Sequence, residues 1–333
     1  MTDNEAILTI AIPTYNRAGY LDMALASIRD CVMELDPAGR NAIEIFVSDN
    51  ASTDDTPAVV ARYLDLPVRH ITSVRNDGNV GPDRNIWQCY LSADTPYVWI
   101  LGDDDVIIPG GIAKALSCLA NRDADIVYLE SYGYSHDPKR KPPYAVASRR
   151  TIEYGDALDF ARRTHVKLTY ISAIIVRTKV SLAPYLDVLH DSYLIQLGWV
   201  LQLLSTGRKF VVIDDWIVAG KIDNSNGYSV IRVFATNLTC IVATILCDSP
   251  ALVKTIQNGA IVSFFPRTIL NTRQNAAAQQ QKAAIGLELK KSFAGNWRRH
   301  VFLTPLLLLP LPLAKIYRIA LAVAGRVLRR CFI

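Results

Sequence analysis

The stretch YVWILGDDDVIIPGGI, residues 97–112, runs an apolar segment into three consecutive aspartates, Asp103, Asp104 and Asp105. Adjacent carboxylates repel one another, and a surface turn needs only one of them, so the run points to a cation that neutralises it. Oxygen-only ligands suit Mg²⁺ or Mn²⁺, which take one or two carboxylates and fill the remaining positions with water and phosphate oxygens. Asp105 is the expected direct ligand. Asp103 and Asp104 then reach the ion, through water in the simplest arrangement, or hold a ribose hydroxyl. A solvated acidic turn is the plainer alternative.

Such a run acts only if the chain places it. Residues 7–13, 43–49, 68–73, 97–101 and 125–130 are short β-branched or aromatic runs that end in polar residues, the pattern of buried strands. Amphipathic stretches alternate with them. Leu21, Leu25, Ile28 and Val32 recur on one helical face, and further helices are expected over 54–65, 82–92 and 109–121. This alternation predicts an α/β fold with a mostly parallel sheet flanked by helices. A second cycle follows, with helices over 152–163 and 191–205, strands over 170–176 and 209–213, and a further helix over 229–247. The proline-bearing basic stretch 134–150 is expected to be a loop.

In such sheets ligands bind beyond the carboxyl ends of the strands. Four successive ends carry chemistry: Pro13-Thr14-Tyr15-Asn16-Arg17, then Ser48-Asp49-Asn50, then Asn79, Gly81 and Arg84, then the aspartates. A turn explains any one of these, but not all four on one edge. Tyr15 also fits core packing, and Arg84 also fits a solvated helix surface.

The ordered segments AIPTYNRAGYL, VSDNASTDDT, NVGPDRN and LGDDD resemble family 2 glycosyltransferases of the GT-A (Rossmann-like) fold, over residues 7–215. LGDDD and DSYLIQLGWVLQLL are similar to the branch that adds dideoxyhexoses such as abequose to O-antigen. The resemblance implies a metal-dependent, inverting transfer from a nucleotide-diphosphate sugar to a polyprenyl-linked oligosaccharide. It places Pro13, Thr14 and Tyr15 in the base pocket, Asp49 on the base, and Arg17, Asn79 and Arg84 near the nucleotide and its phosphates. Family members carry a general base as the Asp of a Glu-Asp pair. Here Asp191 follows His190 instead, and Asp191 serves equally well as the N-cap of the following helix. The segment 216–228 is expected to be a loop closing over the diphosphate, with Lys221 on a phosphate and Asn224 as a further metal ligand.

Composition limits the rest. The 333 residues are 50% hydrophobic and 20% charged, which describes a globular chain. The net charge of +5 is concentrated in residues 288–333, which hold nine Lys or Arg and one Glu. That argues against a nucleic-acid partner and for a local basic anchor. Within 301–330 the apolar run is 14 residues long, short of the ~20 a spanning helix needs. Lys315, Arg318, Arg326, Arg329 and Arg330 surround an apolar face, so a helical extension lying on an anionic membrane surface is expected. The expected domains are therefore 1–215 (catalytic), 216–287 (loop and acceptor-side helices) and 288–333 (membrane-interface tail). Six cysteines without CxxC spacing read as buried, reduced thiols, and no secretory leader is visible. These features suggest a peripheral or monotopic protein on the cytoplasmic face of the inner membrane. Two rivals stay open: an Asp-x-Asp phosphatase using Asp103 as nucleophile, and a non-catalytic membrane-surface protein.

Overall fold

A computed structural model of the chain describes residues 5–142, 150–222, 228–274 and 282–327. The chain forms two compact units, Met1–Asp156 with Leu168–Asn226, and Ala157–Lys167 with Gly227–Ile333.

The first unit holds a nine-stranded sheet. Its strands are β1 (Leu8–Thr14), β2 (Ile43–Asp49), β3 (His70–Arg75), β4 (Tyr97–Ile100), β5 (Val106–Ile107), β6 (Ile126–Tyr134), β7 (Arg150–Tyr154), β8 (Ile174–Arg177) and β9 (Phe210–Lys221). The order is β3-β2-β1-β4-β8-β6-β9-β5, with β7 also pairing with β9. Pairing is parallel from β3 through β2 and β1 to β4, and again between β6 and β9. Pairings β4–β8, β6–β8, β5–β9 and β7–β9 are antiparallel. The sheet is thus mixed, because β8 returns in the opposite direction between β4 and β6.

Hydrophobic burial explains this placement. Leu8, Ile10 and Ile12 on β1 pack with Leu21, Leu25, Ile28 and Val32 of the helix Ala18–Met33 in one buried cluster. Full burial of such side chains contributes about 1.5–3 kcal/mol each. The helix Pro82–Leu91 starts at a proline after Gly81, whose φ of 85° suits glycine.

Several elements differ from the sequence expectation. Residues 150–154 form strand β7, and the helix follows at Ala157–Thr164. Residues 216–221 end strand β9 and are no loop, since Ile217, Val218 and Ala219 are fully buried. Gly220 is needed there because a Cβ would sit 2.3 Å from the Tyr170 hydroxyl. The helix expected from 191 begins at Leu197. Cys31 and Cys89 are buried, but Cys240 and Cys247 are exposed.

The second unit is helical. The helix Pro250–Gly259 packs on Ala157–Thr164. Phe234, Phe264, Phe265 and Phe293 form a chain of ring contacts 4.6–5.6 Å between centroids. The expected helical stretch 229–247 is present as a π-helical turn, Arg232–Asn237, running into Leu238–Ile245. Among the described residues of the tail, the helix Lys282–Ser292 runs into its start, and the helices Arg298–Phe302, Thr304–Leu308 and Leu311–Val327 follow. Among the described residues no helix is long and apolar enough to cross a membrane.

Candidate active site

β1 and β4 are parallel neighbours, so their carboxyl ends lie side by side and the aspartates meet the loop after β1. Thr14 Oγ1 donates to Asp103 Oδ2 at 2.8 Å. The Arg17 guanidinium reaches Asp103 Oδ1 at 3.1 Å and Asp104 Oδ2 at 3.4 Å. Asp105 turns the other way. Its Oδ2 accepts from Ser172 Oγ at 2.5 Å, and its Oδ1 accepts from the Lys221 backbone N–H at 2.9 Å. The Ser172 hydroxyl in turn accepts from the Gly102 N–H at 2.8 Å. Tyr134 Oη donates to the Asp104 carbonyl at 2.9 Å.

The electrostatics follow from burial. Asp103 and Asp105 are 5% and 4% exposed. Burial first, then the charge on Asp104, pushes the Asp105 carboxyl up to about 7. Burial also raises Asp103 to about 6, although Arg17 pulls it down. Burial works against the charge on Arg17, yet Asp103 and Asp104 raise its pKa on balance. One guanidinium thus serves Asp103 and Asp104, and among the described residues no cation pairs with the buried Asp105, so the site is short of positive charge.

That shortage fits a hard divalent cation. Among the described residues no group of three or more His, Cys, Asp or Glu is preassembled around one point. An ion here would accordingly take one or two carboxylates, Asp105 and Asp103, and complete its shell from substrate and water.

The neighbouring strand ends form a second polar layer. Asp49 at the end of β2 is buried; its Oδ1 accepts from the Ser52 N–H at 2.9 Å, and Oδ2 lies 3.6 Å from Arg75 Nε. Asn50 donates to Asn79 Oδ1 at 2.8 Å and accepts from Asn76 Nδ2 and the Val80 N–H. Asn79 therefore ties the loop after β3 to the end of β2. Pro13 is half-buried, whereas Tyr15 is 42% exposed and Arg84 is exposed, which sets aside core packing for Tyr15. The Lys221 ammonium donates to the Ser135 and Ile222 carbonyls, so its backbone, not its side chain, serves Asp105. Asn224 lies outside the described residues.

Asp191 is not an N-cap, because the helix starts six residues later. It is exposed, with φ of 54°, and Tyr193 follows with φ of 60°. Such left-handed backbone at non-glycine residues costs about 1–3 kcal/mol each and persists only where the surroundings impose it. At Tyr193 a buried carboxylate holds the loop: Asp83 accepts from the Tyr193 N–H at 2.9 Å. Asp83 lies in the first turn of the helix that follows β3, so it draws the 190–195 loop to the carboxyl edge of the sheet. Asn16 and Ala51, in the loops after β1 and β2, are left-handed too.

Sequence reasoning missed Asp83, Ser172, Tyr134 and Tyr170. Asp83 had a signal, an acid in the first turn after a Gly-Pro pair. Ser172 and the tyrosines had none, since their role arises from strands far apart in the chain. Asp103 accepts one hydrogen bond on each oxygen, from Thr14 and from Arg17, and is 5% exposed.

A family model described as Glycosyl transferase family 2 matches residues 9–181. The abequosyltransferase RfbV of Salmonella typhimurium is 37% identical over 121 residues, 36% of this chain and 34% of that protein. A Campylobacter jejuni GalNAc(5)-diNAcBac-PP-undecaprenol beta-1,3-glucosyltransferase is 28% identical over 109 residues, 33% of each chain. The matched stretches thus span about a third of these relatives' length. Among solved structures, S. aureus TarS 1–349 with UDP-GlcNAc superposes with a TM-score of 0.63 at 18% identity, covering 95% of this chain and 89% of that one. The mannosyltransferase PcManGT from Pyrobaculum calidifontis, with GDP-Man and Mn²⁺, gives 0.52 at 17% identity, covering 96% and 86%. The shared fold is GT-A.

Proposed function

The chain belongs to glycosyl transferase family 2, and on that premise we propose that it moves a sugar from a nucleotide-diphosphate donor to a hydroxyl of a lipid-linked glycan, with inversion at the anomeric carbon. The glycan is O-antigen or another cell-surface polysaccharide, and the reaction runs at the cytoplasmic face of the inner membrane. One observation carries this: residues from separate strand ends, Thr14, Arg17, Asp103, Asp104, Asp105 and Ser172, meet in one buried, hydrogen-bonded acidic cluster. The Campylobacter relative, whose name contains a PP-undecaprenol acceptor, supports the lipid-linked substrate.

A Mg²⁺ or Mn²⁺ ion held by Asp105 and Asp103 would supply positive charge against the departing diphosphate. The residues of this chain do the rest. Asp49 bonds the base, and the exposed Tyr15 ring stacks on it, with Pro13 and Thr14 as the pocket wall. Asp104, the most accessible of the three, takes a ribose hydroxyl. Arg17, Asn79 and Arg84 face the nucleotide and its phosphates. Lys221 joins them only by leaving the Ser135 and Ile222 carbonyls. Asp191 removes the acceptor proton as the acceptor oxygen bonds C1 and the C1–O bond to diphosphate breaks; general-base assistance of this kind contributes typically ~10²–10⁴-fold. The left-handed backbone at 191 and 193, in a loop that Asp83 holds at Tyr193, supports that role.

The test begins with a screen of nucleotide-sugars for Mn²⁺-dependent thermal stabilisation, which identifies the donor. Asp105→Ala is then expected to lose transfer and to weaken donor binding. Wild-type turnover by that variant in chelator would end the metal role. Donor binding without turnover on any acceptor would mark a non-catalytic protein instead.

A further inference from the structure

We propose that the outward face of the helix Leu311–Val327, continued by Leu308, is a docking surface for an anionic lipid bilayer. The proposal rests on the lipid-linked acceptor named above and assigns the surface that meets the lipid. The helix is held to its own unit by one side. Ala314 is fully buried, Tyr317 and Leu321 are half-buried, and the Tyr317 hydroxyl donates to the Val301 carbonyl at 3.0 Å. Positions i, i+3 and i+7 thus face inward. The opposite side is apolar where a surface helix is normally polar. Leu313, Ile316 and Ile319 are 52%, 63% and 59% exposed, and Leu308 just before the helix is 74% exposed. Most other exposed large hydrophobics are scattered singly along the chain, and single ones need no explanation. Four within 308–319 form a patch.

Charge identifies what covers it. Lys315 and Arg318 are exposed on the same helix, and no acidic residue follows Glu288. A second copy docking through a two-fold axis would set this basic surface against itself, because each partner presents the same patch. An anionic bilayer has the complementary charge and an apolar interior for the leucine and isoleucines. With no spanning helix among the described residues, the helix lies in the interface plane, its apolar side down. Anchoring in this way confines the enzyme to the compartment of its acceptor and raises the acceptor's effective concentration.

The experiment uses the full chain and vesicle sedimentation. Wild type is expected to bind equimolar phosphatidylglycerol–phosphatidylcholine vesicles and to bind phosphatidylcholine alone far less. Ile316→Glu with Ile319→Glu should weaken partition by about tenfold or more, and Lys315→Glu with Arg318→Glu should erase the preference for the anionic lipid. All four side chains are exposed, so an unchanged thermal midpoint is expected to show that the variants fold. Unchanged vesicle binding by the isoleucine variant overturns the proposal. So does a wild-type dimer that the same variant turns into a monomer, which would make the patch a self-interface. Transfer to a water-soluble acceptor should be unaffected in both variants. If wild type binds vesicles yet transfers sugar to no acceptor, the docking surface stands and the transferase reading falls.

Discussion

At the residue scale, proton counting around Asp105 decides how the cluster is held. The Ser172 hydroxyl has one proton and accepts from the Gly102 N–H, so that proton points to Asp105 Oδ2. The Lys221 N–H points to Oδ1. Two donors on one carboxylate favour its ionised form, the form that burial opposes and a cation requires. A hydrogen bond to a charged group contributes about 1.5–3 kcal/mol. Ser172→Ala is therefore expected to weaken binding of Mn²⁺ with a nucleoside diphosphate by about tenfold to a hundredfold, measured by calorimetry. Equal affinity would reduce Ser172 to packing. The aspartates themselves were legible in the sequence, because three like charges after an apolar strand are costly without a purpose. Their supports were not: Ser172 lies 67 positions from Asp105, and no local pattern marks such a contact.

At the scale of elements, strands with strong β-branched runs were legible, as β1, β2 and β4 show. Elements whose type depends on tertiary partners were not. The pattern predicts a loop through 150 and a helix from 152, but Arg150–Tyr154 pairs with β9 as an edge strand. The glycine and asparagines of 216–228 suggested a loop, whereas residues 216–221 belong to β9 and Gly220 accommodates Tyr170. In the second unit, the end of the helix Ala157–Thr164 puts His165 into a buried left-handed position with φ of 37°. It meets Gly259 so closely that a Cβ there would sit 2.4 Å from the His165 Cβ. Burial, reinforced by Lys167 and Arg163, pushes the His165 pKa down to about 4. The unfolded chain, with a histidine near its ordinary value of about 6.5, binds a proton between those two pH values and the folded chain does not. Stability from this group is thus complete above about pH 6.5 and is lost as pH falls toward 4. Between pH 7 and 5 the loss should be about 2 kcal/mol, read from urea midpoints. His165→Asn, whose side chain tolerates left-handed backbone, should remove most of that slope. An unchanged slope would place the acid sensitivity elsewhere.

At the scale of the whole molecule, the charge distribution and the two-unit architecture bear on what the tail does. From sequence, 288–333 reads as one basic, apolar membrane-interface tail. The structure divides that stretch between two jobs. Leu289, Phe293, Phe302, Leu303 and Leu306 are buried, and the Arg273 guanidinium donates to the carbonyls of Leu306 and Leu309. Apart from the single exposed Trp297, the large apolar side chains of this stretch that turn outward lie from Leu308 onward. The sequence could not separate them, because leucine contributes the same hydropathy to a protein core as to a lipid surface, and the direction of each side chain is set by the helices around it. Deleting 301–333 therefore removes Phe302, Leu303 and Leu306 from the core of the second unit, each worth about 1.5–3 kcal/mol. The shortened chain is expected to unfold at clearly lower urea concentration than the full chain, in the absence of any lipid. If its midpoint equals that of the full chain, the tail contributes nothing to folding and is an anchor throughout. If the midpoint falls as expected, loss of membrane binding on truncation says nothing about docking, and the exposed Ile316 and Ile319 are the positions at which lipid contact has to be judged.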